Sequence, residues 1–203
     1  MTNIDNTNLS SSVSVSKYLE LEAARDRQAI ASFIRERFTE RYVTPIAKCP
    51  RELKHGFTIM AVSCLMIEAL ESFRAGMEDT DRRSRQTFSQ FFKRCEDPGN
   101  RLSVLFSSPA TFLNGSFLDD FYVHVRCAIL HQAETSNGWR IRREGELFDP
   151  ETKTINATLF HKAIAEELRR YALELENAPW DSPLWEALKK KMAAVVNNCT
   201  ASK

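Results

Sequence analysis

The stretch from Leu53 to Gly76 is apolar on nearly every side, and it limits the fold more than any other part of the chain. A helix without a polar face has to be enclosed by protein or by lipid. Its most apolar part, Phe57 to Leu70, is about fourteen residues long, short of the roughly 20 that span a bilayer. The stretch is therefore expected to be the central helix of an α-helical bundle, away from any membrane. Two carboxylates lie within it, and a buried carboxylate is costly unless paired. Glu71 is expected to reach solvent. For Glu68 two readings stand: the same escape, or a place beside Arg126 or His131 further along the chain.

The remaining elements follow from periodicity and punctuation. A first helix is expected from about Ser16 to Tyr42, broken by Thr44-Pro45 and Cys49-Pro50. A third opens at Asp79-Thr80-Asp81 and stops at Asp97-Pro98-Gly99. Asn100 to Asn114 reads as loop, with one helical turn over Leu102 to Phe106. Phe117 to about Glu134 carries no Gly or Pro and reads as one helix, stopped by Thr135-Ser136-Asn137-Gly138. The period then changes over residues 139–155, where two short runs around a turn predict a β-hairpin. Asn156 caps a helix to about Glu176, and Asp181-Ser182-Pro183 opens the last, to about Val196. Residues 1–15 read as a disordered leader, 16–196 as a single helical domain and 197–203 as a flexible tail. Phe112, Phe117, Phe160, Trp180 and Trp185 are expected in the core.

A net charge of +1 over 203 residues speaks against a non-specific nucleic-acid coater, which needs a marked excess of Lys and Arg. The five cysteines form no Cys-x-x-Cys pair, and with no signal peptide they read as reduced thiols of a cytoplasmic protein. Gly-rich phosphate loops and nucleophile elbows do not occur, which argues against kinases, dinucleotide enzymes and α/β-type hydrolases. No cofactor is implied.

Chemistry concentrates in the Phe117–His131 helix, where Arg126 and His131 lie five positions apart. A histidine moves protons near neutral pH, and a guanidinium clamps a phosphate through parallel hydrogen bonds. On a wheel of about 100° per residue, Leu118, Phe121, Tyr122, Val125, Ala128 and Ile129 share the packed face. Val123, Cys127 and Leu130 form a second apolar strip, edged by Arg126 and His131, which predicts a contact with another copy of the chain. His124 is a candidate second proton carrier or RNA contact. Asp120, His124, Cys127 and His131 also share a stripe of metal-ligand types, but one helix rarely wraps an ion, so no metal is expected. Among the basic clusters, Arg140, Arg142 and Arg143 stand beside Trp139 close after this helix and are candidate RNA contacts; solvated charge is the default for such residues. The other clusters are Arg82-Arg83-Ser84-Arg85 and Lys189-Lys190-Lys191.

An arginine, a short spacer and a histidine near the end of an amphipathic helix in an all-α bundle resemble the HEPN superfamily (higher eukaryotes and prokaryotes nucleotide-binding). The run Phe121-Tyr-Val-His-Val-Arg-Cys-Ala-Ile-Leu-His-Gln-Ala-Glu-Thr135 looks like the motif helix of bacterial members, with the likeness covering about Leu53 to Glu176. The resemblance implies an all-α, HEPN-type bundle with a small β-hairpin inserted after the motif helix, working as a homodimer. It further implies a metal-independent endoribonuclease of bacterial defence, toxin–antitoxin or stress systems, with Arg126 and His131 as the catalytic pair; by their own positions, His124, Glu68 and Cys127 are candidate supporting residues. RNA would be cut to a 2′,3′-cyclic phosphate, and a neutralising partner protein is part of that picture. Cys127 stands where the family often has a polar residue, which favours the alternative of a non-catalytic dimeric module binding RNA, a nucleotide or a partner protein.

Overall fold

The structure is a computed structural model that describes residues 7–50, 52–106 and 117–200. Phe112 and Asn114 lie outside these residues. The fold is mainly helical with one small three-stranded sheet. The described residues gather into two compact units, within Met1–Pro45 with Ser72–Thr80 and Glu166–Lys203, and within Ile46–Glu71 with Asp81–Ala165.

In the first unit the expected single helix is two, α1 (Val15–Ala23) and α2 (Arg27–Phe38). Arg25 takes a left-handed φ of 53°, and the Asp26 carboxylate then caps α2 by accepting from the Ala29 amide. A π-helical turn (Thr39–Val43) and the short α3 (Thr44–Ala47) continue the chain, so Pro45 sits in the first turn of a helix, where no amide is needed. Residues 7–14, expected to be without structure, form a strap. Asn8 bridges to Ser14, which caps α1, and Leu9 is 1% exposed. Two apolar residues, Leu9 and Val13, hold this polar segment down, and the leader's average composition hides them. Glu36 and Glu40 accept hydrogen bonds from the amides and hydroxyls of Ser11 and Ser12. Arg37 and Arg41 both donate to the Leu9 carbonyl, and burial brings the Arg37 guanidinium down to about 10. Gly76 has a φ of +64°, and a Cβ there would stand 2.9 Å from Cα of Ala187.

The second unit holds α4 (Gly56–Arg74) up to Glu71, α5 (Ser84–Arg94), a 3₁₀ turn (Arg101–Phe106), the motif helix and the sheet. Its core is aromatic. The Phe92 ring meets Phe91, Phe106, Phe117 and Phe121 edge-on at centroid distances of 5.4–6.1 Å, a favourable arrangement for ring quadrupoles. α4 is long and apolar enough to cross a membrane by length and composition alone, and 61% of its apolar window is buried within the protein. Asn156 caps α8 (Ala157–Asn177) through the amides of Thr158 and Leu159, and α9 (Pro183–Thr200) follows.

The expected hairpin of residues 139–155 is a different object. β1 (Arg140–Arg142) pairs parallel with β3 (Thr154–Asn156), and β2 (Phe148–Asp149) pairs antiparallel on the other side of β3. Pro150 cannot donate to a ladder, and the Asp149 carboxylate accepts from the amides of Glu151 and Thr152. These turn the chain back at Lys153, whose φ is 49°, so the run read as one strand is two.

Two outcomes follow for the first unit. Gly76→Ala meets both a left-handed φ and a backbone atom, and should lower stability by about 1–3 kcal/mol in urea unfolding; an unchanged midpoint would contradict the packing at Ala187. Hydrogen bonds from Ser12 first, then Ser11, hold the Glu36 carboxyl below its ordinary range. The folded state therefore binds its proton less readily than the unfolded chain, and the stabilisation is complete above about pH 4.3 and drains as pH falls through the depressed value. Between pH 7 and pH 3 the wild type should lose more stability than Glu36→Gln; superposable profiles would remove the strap's carboxylate anchor.

Candidate functional site

The motif helix is three pieces in series, α6 (Phe117–Phe121), a π-helical turn (Tyr122–Cys127) and α7 (Ala128–Gln132). A π turn takes i→i+5 bonds, so a wheel drawn at constant α pitch does not hold across Arg126. Phe121, Val125, Ala128 and Ile129 are buried as the wheel predicts, and Val123 and Leu130 are exposed. Asp120 is buried as well, which the wheel does not predict. Ala133 ends the helix in a left-handed conformation.

Arg126 is committed to Glu68. Its Nε and Nη2 donate to Glu68 Oε1 at 2.8 and 2.6 Å, while Glu68 Oε2 accepts from the Ser84 hydroxyl at 3.0 Å. The two side chains are only 13% and 11% exposed. The guanidinium carbon lies 5.4 Å from the Tyr122 ring centroid, and Nη1 approaches Cys127 Sγ at 3.8 Å. Burial pulls the Arg126 proton off, but the hydrogen bonds and charge of Glu68 outweigh it and the pKa is raised. Burial likewise pushes the Cys64 thiol up. Of the two readings of Glu68, pairing with Arg126 is the one the structure holds. Glu71, expected at the surface, is instead 1% exposed and ion-paired with Arg94.

His131 is exposed near the end of α7 and makes no hydrogen bond or ion pair among the described residues. No hydrogen bond joins it to Arg126 or Glu68. His124 belongs to a different cluster, with Nδ1 2.7 Å from Ser136 Oγ and Nε2 3.7 Å from Asp120 Oδ1. Asp120 Oδ2 accepts from Trp139 Nε1 at 2.8 Å and Lys153 Nζ at 3.3 Å, and Oδ1 accepts from Asn137 Nδ2 at 3.3 Å. The i, i+4 spacing of Asp120 and His124 was the visible signal of this cluster; the residues that complete it come from the turn beyond the helix. Asp120, His124, Cys127 and His131 do not converge, and no trio of His, Cys, Asp or Glu among the described residues is placed to hold a metal ion.

The basic run after the helix divides in two. Arg143 is spent on the fold, donating to the carbonyls of Pro50 and Leu53, each at 3.1 Å. The side chains of Arg140 and Arg142 are exposed and have no hydrogen bond or ion pair among the described residues. Both line a groove of about 1130 Å³ between β1, the start of α4 and the loops around β2. Lys54 and Phe57 also line it, and so do Glu144, Glu146 and Asp149, so its charge is mixed. In the other basic clusters Arg85 pairs with Asp119 at 2.7 Å and Lys191 donates to the Glu78 carbonyl at 2.8 Å, while the Arg83 and Lys190 side chains are exposed.

No family model, curated protein or solved structure matches the chain. The class the fold defines is therefore a mainly helical protein with a small mixed sheet, and its residues carry the functional reading.

Breaking a mostly buried ion pair from one side leaves an uncompensated charge. Glu68→Ala should cost about 3 kcal/mol in urea unfolding, and the Glu68→Leu/Arg126→Met pair should recover most of it. A Glu68→Ala protein as stable as wild type would show that Arg126 is not held there.

Proposed function

We propose that the protein is a helical RNA-binding module of HEPN type, with the groove over β1 as its contact surface. The observation that supports this is the pair Arg140 and Arg142. They stand two apart on one strand, about 7 Å along the chain, exposed and, among the described residues, without an ion pair, beside an open groove. Such guanidinium groups are available to phosphates in a way that Arg126 and Arg143 are not. Phe57 offers a ring on which a base can stack. The acidic residues of the groove limit the electrostatic attraction, in keeping with a net charge of +1 and with selective rather than general binding. Homodimerisation through the exposed Val123–Leu130 strip, a neutralising partner and a cytoplasmic setting belong to the same reading.

One observation favours the second reading, a metal-independent endoribonuclease. His131 is open to solvent and has no partner among the described residues, so its ring is free to meet a substrate as general acid or base. In that reaction the ribose 2′-hydroxyl attacks the adjacent phosphate, His131 moves the proton and Arg126 stabilises the phosphorane, giving a 2′,3′-cyclic phosphate. Arg126 would have to exchange Glu68 for the phosphate, and that is why binding stands first.

Fluorescence anisotropy with labelled single-stranded RNA separates the two. Arg140→Ala/Arg142→Ala should weaken binding about tenfold or more in low salt and reduce the slope of log K against log salt by about 1.4, the share of two phosphates. Unchanged affinity and slope would exclude the groove. Cleavage in EDTA that leaves cyclic phosphate and is lost in both Arg126→Ala and His131→Ala would put the ribonuclease reading first.

A further inference from the structure

The turn that follows the motif helix carries an arrangement that RNA binding does not use. Asp120, His124 and Ser136 stand in line: carboxylate Oδ1 3.7 Å from the imidazole Nε2, and imidazole Nδ1 2.7 Å from the Ser136 hydroxyl. Of the three other contacts on the buried carboxylate, those from Trp139 and Lys153 fall on Oδ2, and Oδ1 accepts from Asn137 Nδ2 at 3.3 Å while facing the ring. With the ring proton on Nε2, toward Asp120, the Nδ1 lone pair receives the Ser136 proton; the tautomer is assigned from these neighbours. The seryl backbone is fixed independently, since the Ser136 amide donates to the His124 carbonyl at 3.0 Å. Ser136 then opens a tight turn closed by the Trp139 amide, with Asn137 and Gly138 at φ of 53° and 78°. The amides of Asn137 and Gly138 donate no hydrogen bond among the described residues, and nothing lies within 4 Å of where a Gly138 Cβ would be. Nucleophile, base, orienting carboxylate and two unused amides directly after the nucleophile are the parts that acyl transfer needs, and such constellations are recognised by geometry rather than chain order.

We propose that Asp120, His124 and Ser136 form a nucleophilic acyl-transfer site for short-chain carboxylic esters. Ser136 Oγ attacks the ester carbonyl carbon as its proton passes to His124 Nδ1. The resulting oxyanion meets the Asn137 or Gly138 amide. The bond to the alcohol oxygen breaks, and His124 returns its proton to that oxygen, leaving an acyl ester on Ser136. Water then attacks this ester, giving its proton to His124, which passes it to the departing Ser136 Oγ. The sum is ester and water to acid and alcohol. A half-buried serine on an exposed turn, outside the groove, fits an acyl group of few carbons.

The full-length protein is treated with a fluorophosphonate probe and the adduct mapped by mass spectrometry, beside p-nitrophenyl acetate hydrolysis. The expected result is one adduct on Ser136, absent from Ser136→Ala, with acetate hydrolysis reduced roughly a hundredfold in His124→Gln. Ser136→Ala keeps the backbone bond to His124, and a melting temperature close to wild type confirms that the turn stays in place. Absence of an adduct on the wild-type protein, an adduct on another residue, or labelling that survives Ser136→Ala would overturn the proposal.

Discussion

A helix enclosed on nearly all sides has no route to water for a carboxylate in its later turns, and α4 has two. Glu71 pairs with Arg94 and Glu68 with Arg126, so α5 and the motif helix each supply a cation to the same buried helix. The Arg126 pair brings Ser84 and Tyr122 with it, and together they fix how the motif helix meets α4. Charge in a low-dielectric setting is expensive unless every lone pair is used, and here both Glu68 oxygens are. An arginine that looks, by spacing, like a phosphate clamp is therefore first of all the counter-charge of a core helix.

The π turn has a related consequence. By shifting the helical phase between Tyr122 and Cys127 it accompanies two side chains on different tasks, Arg126 on Glu68 and His124 on Ser136. Local widening of a helix recurs at functional sites because it re-aims side chains without breaking the rod. Asp120, on the turn before, gathers Trp139, Asn137 and Lys153 and so ties the loop and the sheet to the motif helix. That tie positions β1, and with it Arg140 and Arg142, as much as it orders the Ser136 turn.

Much of this could be read from the chain. The central apolar helix, the Asn156 cap, the helical turn after Asn100 and the exposed strip of Val123 and Leu130 all follow from periodicity and capping. What failed to show has physical causes. The strap of residues 7–14 rests on Leu9 and Val13, two anchors diluted among Ser and Asn. The sheet departs from the expected hairpin because Pro150 and Asp149 make a turn inside what alternation presents as a strand. Asp120 was visible only as half of an i, i+4 pair, since its other partners come from up to 33 positions away. Periodicity reports local order, whereas the pairing of buried charge is a property of the folded chain. The separate fates of Arg140, Arg142 and Arg143 show the same limit: three neighbouring arginines differ only in what the rest of the fold offers each.

The ¹⁵Nε resonances of the arginine side chains, followed through a titration with single-stranded RNA, test the division between structural and binding arginines most directly. If Arg126 belongs to the fold, its Nε–H exchanges slowly and keeps its shift to saturation, while the signals of Arg140 and Arg142 move. If Arg126 moves with RNA while Arg140 and Arg142 stay, the guanidinium leaves Glu68 for phosphate, and the site lies on the motif helix instead of in the groove.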